Sequence, residues 1–233
     1  MSFVPHRFLF RVAYSCLYHQ AMPDDGDEIL DLPISCRIEN YADLDGVNNF
    51  ADVRVAWNAS GLGVQVEVKG KEKPVVAGVD RLRFSDQFVL WIDTRDGRTS
   101  HRASRTCHQF HFLPTGGGPD KDEPAIVQSR INRAAQDAPM ADEGAILFQC
   151  RQTAHGYTMR IFLTASALNG FDPEQFSRWG IHYVVRDNEL GEQTLSVGSD
   201  FPYTDDPSLW SVLELKQTEK KAKPTGRKPV EEE

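Results

Sequence analysis

Residues 84–97 read FSDQFVLWIDTRDG, and their alternation decides how the rest of the chain is read. Successive side chains of an extended strand point to opposite faces. Phe88, Leu90 and Ile92 then share one face, while Val89, Trp91 and Asp93 share the other. The stretch CHQFHFLP (107–114) repeats the pattern, with Phe110 and Phe112 on one side and Gln109 and His111 on the other. WGIHYVVRDN (179–188) sets Ile181, Tyr183 and Val185 against His182, Val184 and Arg186. If the oilier sides form the core, the outer sides gather Trp91, Gln109, His111, His182 and Arg186. One ring for stacking and several hydrogen-bonding groups suit a polar ligand.

Extended segments recur on both sides of this stretch. FLFRVAYSCLY (8–18) precedes the acidic turn PDDGDE, and ADVRVAWN (51–58) is joined by ASG to LGVQVEVKG (62–70). In the latter Leu62, Val64, Val66 and Val68 face one way and Gln65, Glu67 and Lys69 the other, the pattern of a half-buried strand. AILFQCRQT and GYTMRIFLT flank AHG as a second hairpin, and EQTLSVG and WSVLEL close the series. AIVQSRINRAAQ (125–136) fits a strand or a short helix, and TASALNG (164–170) fits one helical turn capped by Thr164 and stopped by Gly170. TGGGPDKDEP (115–124) reads as a mobile connection and not a phosphate loop, because no helix signature follows. About ten short strands without a long helix predict an all-β fold, a two-sheet antiparallel β-sandwich of jelly-roll type over residues 1–215. From Lys216 to Glu233, mixed charge, proline and glycine predict a disordered tail.

A formal net charge of −8 argues against a nucleic-acid binder, which needs clustered Lys and Arg to displace counterions. No apolar run is long enough to span a bilayer, and His6, Arg7 and Arg11 interrupt any signal-peptide core, so a cytoplasmic address and no membrane partner are expected. Cys16, Cys36, Cys107 and Cys150 lack metal-ligand spacing and are expected as reduced, packed thiols. His108 and His111 are three apart in a strand and point to opposite faces, which disfavours a shared metal. No nucleophile elbow, Walker loop or zinc-protease motif occurs, so no catalytic residue is assigned.

The order ADVRVAWNASGLGVQVEVKGK, SDQFVLWIDTRD, HQFHFLPTGG, YTMRIFLTASAL, WGIHYVVRDNELGEQTLSVGS, WSVLEL resembles the family 9 carbohydrate-binding modules and the related DOMON-like domains, from about Leu44 to Leu215. The resemblance implies a non-catalytic sandwich that binds carbohydrate, with structural calcium in some members and haem in some DOMON relatives. Asp43 and Asp45 form only a fragment of a calcium loop, and haem would need an axial His such as His111 or His182, so neither cofactor is assigned. Sugar-binding members carry an acid where Val89 stands and an asparagine where Arg186 stands, followed by an aromatic that is missing before Leu190. These departures raise an alternative, a protein-interaction module that keeps the fold without the sugar site.

Overall fold

The computed structural model describes residues 6–9 and 12–217. Eleven strands are β1 (Ala13–Tyr18), β2 (Ala51–Asn58), β3 (Gly61–Lys69), β4 (Gln87–Asp93), β5 (Cys107–Gly117), β6 (Glu123–Ser129), β7 (Ile146–Thr153), β8 (Gly156–Thr164), β9 (Arg178–Asp187), β10 (Gly191–Thr194) and β11 (Ser211–Lys216). The only helical pieces among the described residues are short 3-10 turns. Both expected hairpins are present, β2 with β3 and β7 with β8. The ambiguous 125–136 stretch forms strand through Ser129 and then turns. Thr164 precedes a 3-10 turn at Ala165–Ala167, but its hydroxyl donates to the Ala145 carbonyl rather than capping that turn. Lys216, assigned to the tail by its charge, ends β11, and the tail from residue 218 lies outside the described residues.

The strands form one continuous ladder in the order β6-β5-β4-β9-β11-β1-β2-β3-β8-β7, with β10 paired to β9. Its two ends approach one another: Phe112 of β5 meets Phe148 of β7 edge-on at 5.3 Å, and Gln152 Nε2 donates to the Pro114 carbonyl at 3.1 Å. The result is a nearly closed, barrel-like sheet. It is not wholly antiparallel, because β1 runs parallel to both β11 and β2. A parallel pair needs a long connection, which residues 19–50 supply between β1 and β2.

The interior holds Phe88, Leu90, Ile92, Phe110, Phe112, Ile181, Tyr183 and Val185, together with Leu62, Val64, Val66 and Val68. The predicted core parity therefore holds. The half-burial expected of β3 does not hold, since Gln65 is buried with its apolar neighbours, and β4 is buried along its whole length. Two long segments cover outer faces of the sheet. Met22, Leu30, Leu32 and Cys36 pack on Ala56 and Phe162, and the Leu32 amide donates to Gln65 Oε1 at 2.8 Å. Val197, Tyr203 and Trp210 pack on Val89, Trp91 and Val184. Each large apolar side chain so enclosed is worth about 1.5–3 kcal/mol. All four cysteines are free thiols.

The end of β5 presses against the loop before β4. Gly116 has φ +100°, and a Cβ there would stand 2.7 Å from the Gly78 Cα and 2.9 Å from its nitrogen. Gly116→Ala should therefore cost about 1–3 kcal/mol, from left-handed strain plus backbone contact. Urea unfolding checks this, and an unchanged midpoint would contradict the packing.

Candidate functional site

The five residues proposed from strand parity do share the outer face of β4, β5 and β9. Cross-strand register sets Trp91 between Gln109 and His182, and Gln87 beside Arg186. The face divides into two parts. In the middle, Trp91 (3% exposed) and His182 (0%) lie beneath residues 195–210. Tyr203 meets Trp91 edge-on at 5.5 Å and His182 at 4.4 Å, and Ser196 Oγ lies 3.3 Å from His182 Nδ1. A ring stacked on a sugar must present an open face, and this indole presents none while the cover is in place. Asp93 is likewise occupied: its carboxylate accepts from the Arg95 and Gly97 amides and the Thr106 hydroxyl at 3.0, 2.6 and 2.7 Å, closing the turn after β4.

Toward the start of β4 the face is polar and partly open. Gln109 Nε2 lies 3.0 Å from His111 Nε2, and His111 Nδ1 lies 2.9 Å from Gln87 Oε1. The Gln87 amide nitrogen in turn donates to the Leu82 carbonyl. These partners are all satisfied if Gln109 donates to Nε2 and the proton of a neutral imidazole sits on Nδ1. Burial pushes the His111 pKa down to about 4, and the nearby Arg186 cation pushes the same way. Arg186 is half-buried and its guanidinium bonds Glu192 Oε2 from Nε and Nη2 at 3.2 and 2.9 Å.

The parity argument missed the groups around this end. Gln87 and Glu192 complete the polar array, and the 3-10 turn Leu82–Phe84 caps it. Asn188 Nδ2 donates to the Phe84 carbonyl at 3.0 Å, while the Phe84 side chain is 68% exposed. No periodicity marks Phe84, because it belongs to a loop. Its only signal in the sequence is a large ring among charged neighbours, Arg81, Arg83 and Asp86.

His108 points to the opposite face from His111 and stacks on Phe110 with centroids 5.8 Å apart and planes 6° apart. Among the described residues no group of three His, Cys, Asp or Glu side chains is placed to hold a metal ion. Asp45 accepts from the His6 amide at 2.6 Å, and the Asp43 side chain lies outside the described set. His101, Asp206 and Ser208 meet, but Asp206 Oδ2 (2.9 Å) and Ser208 Oγ (3.1 Å) approach the same nitrogen, Nδ1. A nucleophilic triad needs its hydroxyl and carboxylate on different ring nitrogens, so this contact is no relay. Among the described residues no helix is long and apolar enough to cross a membrane.

No family model and no curated protein matches the sequence. Among solved structures the chain is similar to a family 9 carbohydrate-binding module from Caldicellulosiruptor kristjanssonii in complex with cellotriose, at 13% identity and TM-score 0.59, over 95% of this chain and 100% of that one. The same kind of module from that organism in complex with glucose aligns at 13% identity and TM-score 0.56, over 91% and 100%. A candidate carbohydrate-binding protein from Bacteroides uniformis aligns at 12% identity and TM-score 0.51, over 88% and 100%. The chain has the fold of the family 9 carbohydrate-binding modules.

Proposed function

We propose that the chain is a non-catalytic binding module that takes a carbohydrate, or a small molecule of similar polarity, at the open end of the outer face. The observation that carries this reading is the linked array Gln109–His111–Gln87 beside Arg186 and Glu192, bonded through Gln87 to the turn that carries the exposed Phe84. Amides, imidazole, guanidinium and carboxylate offer donors and acceptors to neighbouring hydroxyls, and the ring offers an apolar platform. Trp91 and His182, enclosed by residues 195–210, support the sheet beside this site without touching the ligand. We read the folded-over sheet as a two-layer, jelly-roll-like sandwich akin to the DOMON-like domains. It would act in the cytoplasm without haem, calcium or a catalytic residue, and without nucleic acid or membrane as partner.

Calorimetric titration with glucose, cellotriose and a panel of other sugars tests the reading. Arg186→Ala should weaken binding of the responding sugar by about 10–100-fold, the loss of a charged hydrogen-bonding group, and Phe84→Ala should weaken it by about 3–10-fold. Saturable binding untouched by both substitutions would place the ligand elsewhere. No heat across the whole panel would favour the alternative, a protein-interaction module. One observation supports that alternative: Val76, Val79 and Phe84 are 43%, 46% and 68% exposed on a single loop. Exposed apolar side chains grouped in this way are characteristic of a protein contact.

A further inference from the structure

On the far side of the 195–210 cover from Trp91, two clefts meet along Val12, Ser196 and Ser211. The larger, about 540 Å³, is walled by Val12, Leu209 and Trp210 and carries Arg98, His101 and Ser208. The smaller, about 290 Å³, is lined by Tyr14, Tyr41, Leu44 and Leu195. Together they span the size range of small-molecule sites. The two ends differ in chemistry. Arg98 lines the larger cleft with 23% of its side chain exposed; Nε is bonded to Asp96 at 2.5 Å, and Nη2, shut off from solvent, has no acceptor. His101 uses Nδ1 on Asp206 and Ser208, which leaves Nε2 unassigned. The smaller cleft is apolar, and its rim is unusually so. Tyr41 and Leu44 are 40% and 48% exposed, and Phe8 at the neighbouring wall is 42% exposed.

We propose that this groove binds an amphiphilic carboxylate, with the acid group on Arg98 and the hydrocarbon tail against Tyr14, Tyr41, Leu44 and Leu195. A carboxylate would pair with the part of the Arg98 side chain that faces the cleft, and a tail would cover apolar surface that water now wets. A sugar would satisfy the first requirement and not the second. The site is separate from the carbohydrate reading above and does not depend on it.

Octanoate, octan-1-ol and glucuronate, titrated below any micelle threshold and followed by Trp fluorescence and calorimetry, test the proposal. Octanoate should saturate. Octan-1-ol, which lacks the charge, and glucuronate, which lacks the tail, should each bind at least about tenfold more weakly. Arg98→Gln should reduce octanoate affinity about 10–100-fold, and Leu44→Glu, at an exposed position where folding is not at stake, should reduce it similarly. Phe84→Ala should leave octanoate binding unchanged, which separates this site from the sugar site. Absence of saturable octanoate binding, equal affinity for octan-1-ol, or indifference to both Arg98→Gln and Leu44→Glu would each overturn the proposal.

Discussion

Lys71→Met should destabilise the domain by about 3–5 kcal/mol, the largest single loss expected from any one side chain outside the apolar core. Lys71 is 2% exposed and sits among three carboxylates. Its Nζ bonds both Asp187 oxygens at 2.8 Å, and lies 3.3 Å from Asp86 and 3.7 Å from Glu189. These acids come from the loop before β4 and from the end of β9 with the turn that follows it, which the ammonium holds together. Asp86 accepts from the Asn188 and Val76 amides at 2.7 and 3.0 Å, and Asp187 accepts from the Glu189 and Leu190 amides at 2.9 and 3.0 Å. Methionine fills much of the volume and removes the cation, stranding two buried negative charges beside each other. Adding Asp187→Asn should recover part of the loss, because the amide oxygen still accepts from Glu189 and Leu190 while one uncompensated charge disappears. Chemical denaturation of the two single variants and the double variant gives the coupling directly. Additive losses, or a loss below about 1 kcal/mol for Lys71→Met, would show that the cluster is not electrostatically coupled. Burial alone would lower the Lys71 pKa, but the Asp187 and Asp86 carboxylates outweigh it and leave the pKa raised above 10.5. This contribution therefore persists at every pH below the ordinary lysine value and is lost only as pH rises through the raised one.

Acidification acts through different groups and should cost about 4 kcal/mol between about pH 7 and pH 5. His108 and His111 both have pKa values lowered from 6.5 to about 4, in each case first by burial. The Asn169 backbone and Asp93 oppose the shift at His108, whereas Arg186 adds to it at His111. The unfolded chain protonates these rings near 6.5 while the folded one resists until about 4. Stability is thus complete above the higher value and falls as pH drops through the window, by about 2 kcal/mol per ring at pH 5. His108→Phe, which retains a flat ring against Phe110, should remove about half of the pH dependence. Urea midpoints measured across this range test the claim. A flat profile in the native sequence, or a slope that His108→Phe leaves intact, would contradict it. Because His111 also anchors the polar array, ligand affinity at the open end should hold to about pH 5 and fall as pH drops through the folded-state value of about 4. Its protonation would turn Nε2 from an acceptor into a donor facing the Gln109 amide.

The core was legible because period-2 alternation is a statement about one face only. Phe88, Leu90 and Ile92 declared the interior without any knowledge of partners, and β5 and β9 fell into register with them. The opposite face was not legible for the same reason. Alternation labels Val89 and Trp91 as outward but carries no information on what lies above them. The cover comes from residues 195–210, more than a hundred positions away, where Val197, Tyr203 and Trp210 are spaced for a loop and obey no period. The parallel pairing of β1 was hidden similarly, since a strand's direction relative to its neighbours depends on the path of residues 19–50. Gln109, His111 and Arg186 were found because they lie on strands. Phe84, Gln87 and Glu192 complete their end of the face from a turn, a strand end and a short β10, and Lys71 meets its acids only through tertiary folding.

The division of the outer face, closed over Trp91 and open at Arg186, is tested most directly by hydrogen exchange at the Trp91 indole N–H, assigned through Trp91→Phe, with and without cellotriose. Nε1 is buried with no acceptor in reach, so the packing around it, residues 195–210 together with Ala103 and Ile131, protects it rather than a hydrogen bond. The account predicts exchange far slower than for a free indole, unchanged by sugar, while the amides of Gln109, Arg186 and Glu192 respond to the ligand. Exchange as fast as in open water, or protection that appears only when sugar is added, would mean that Trp91 itself is the binding platform.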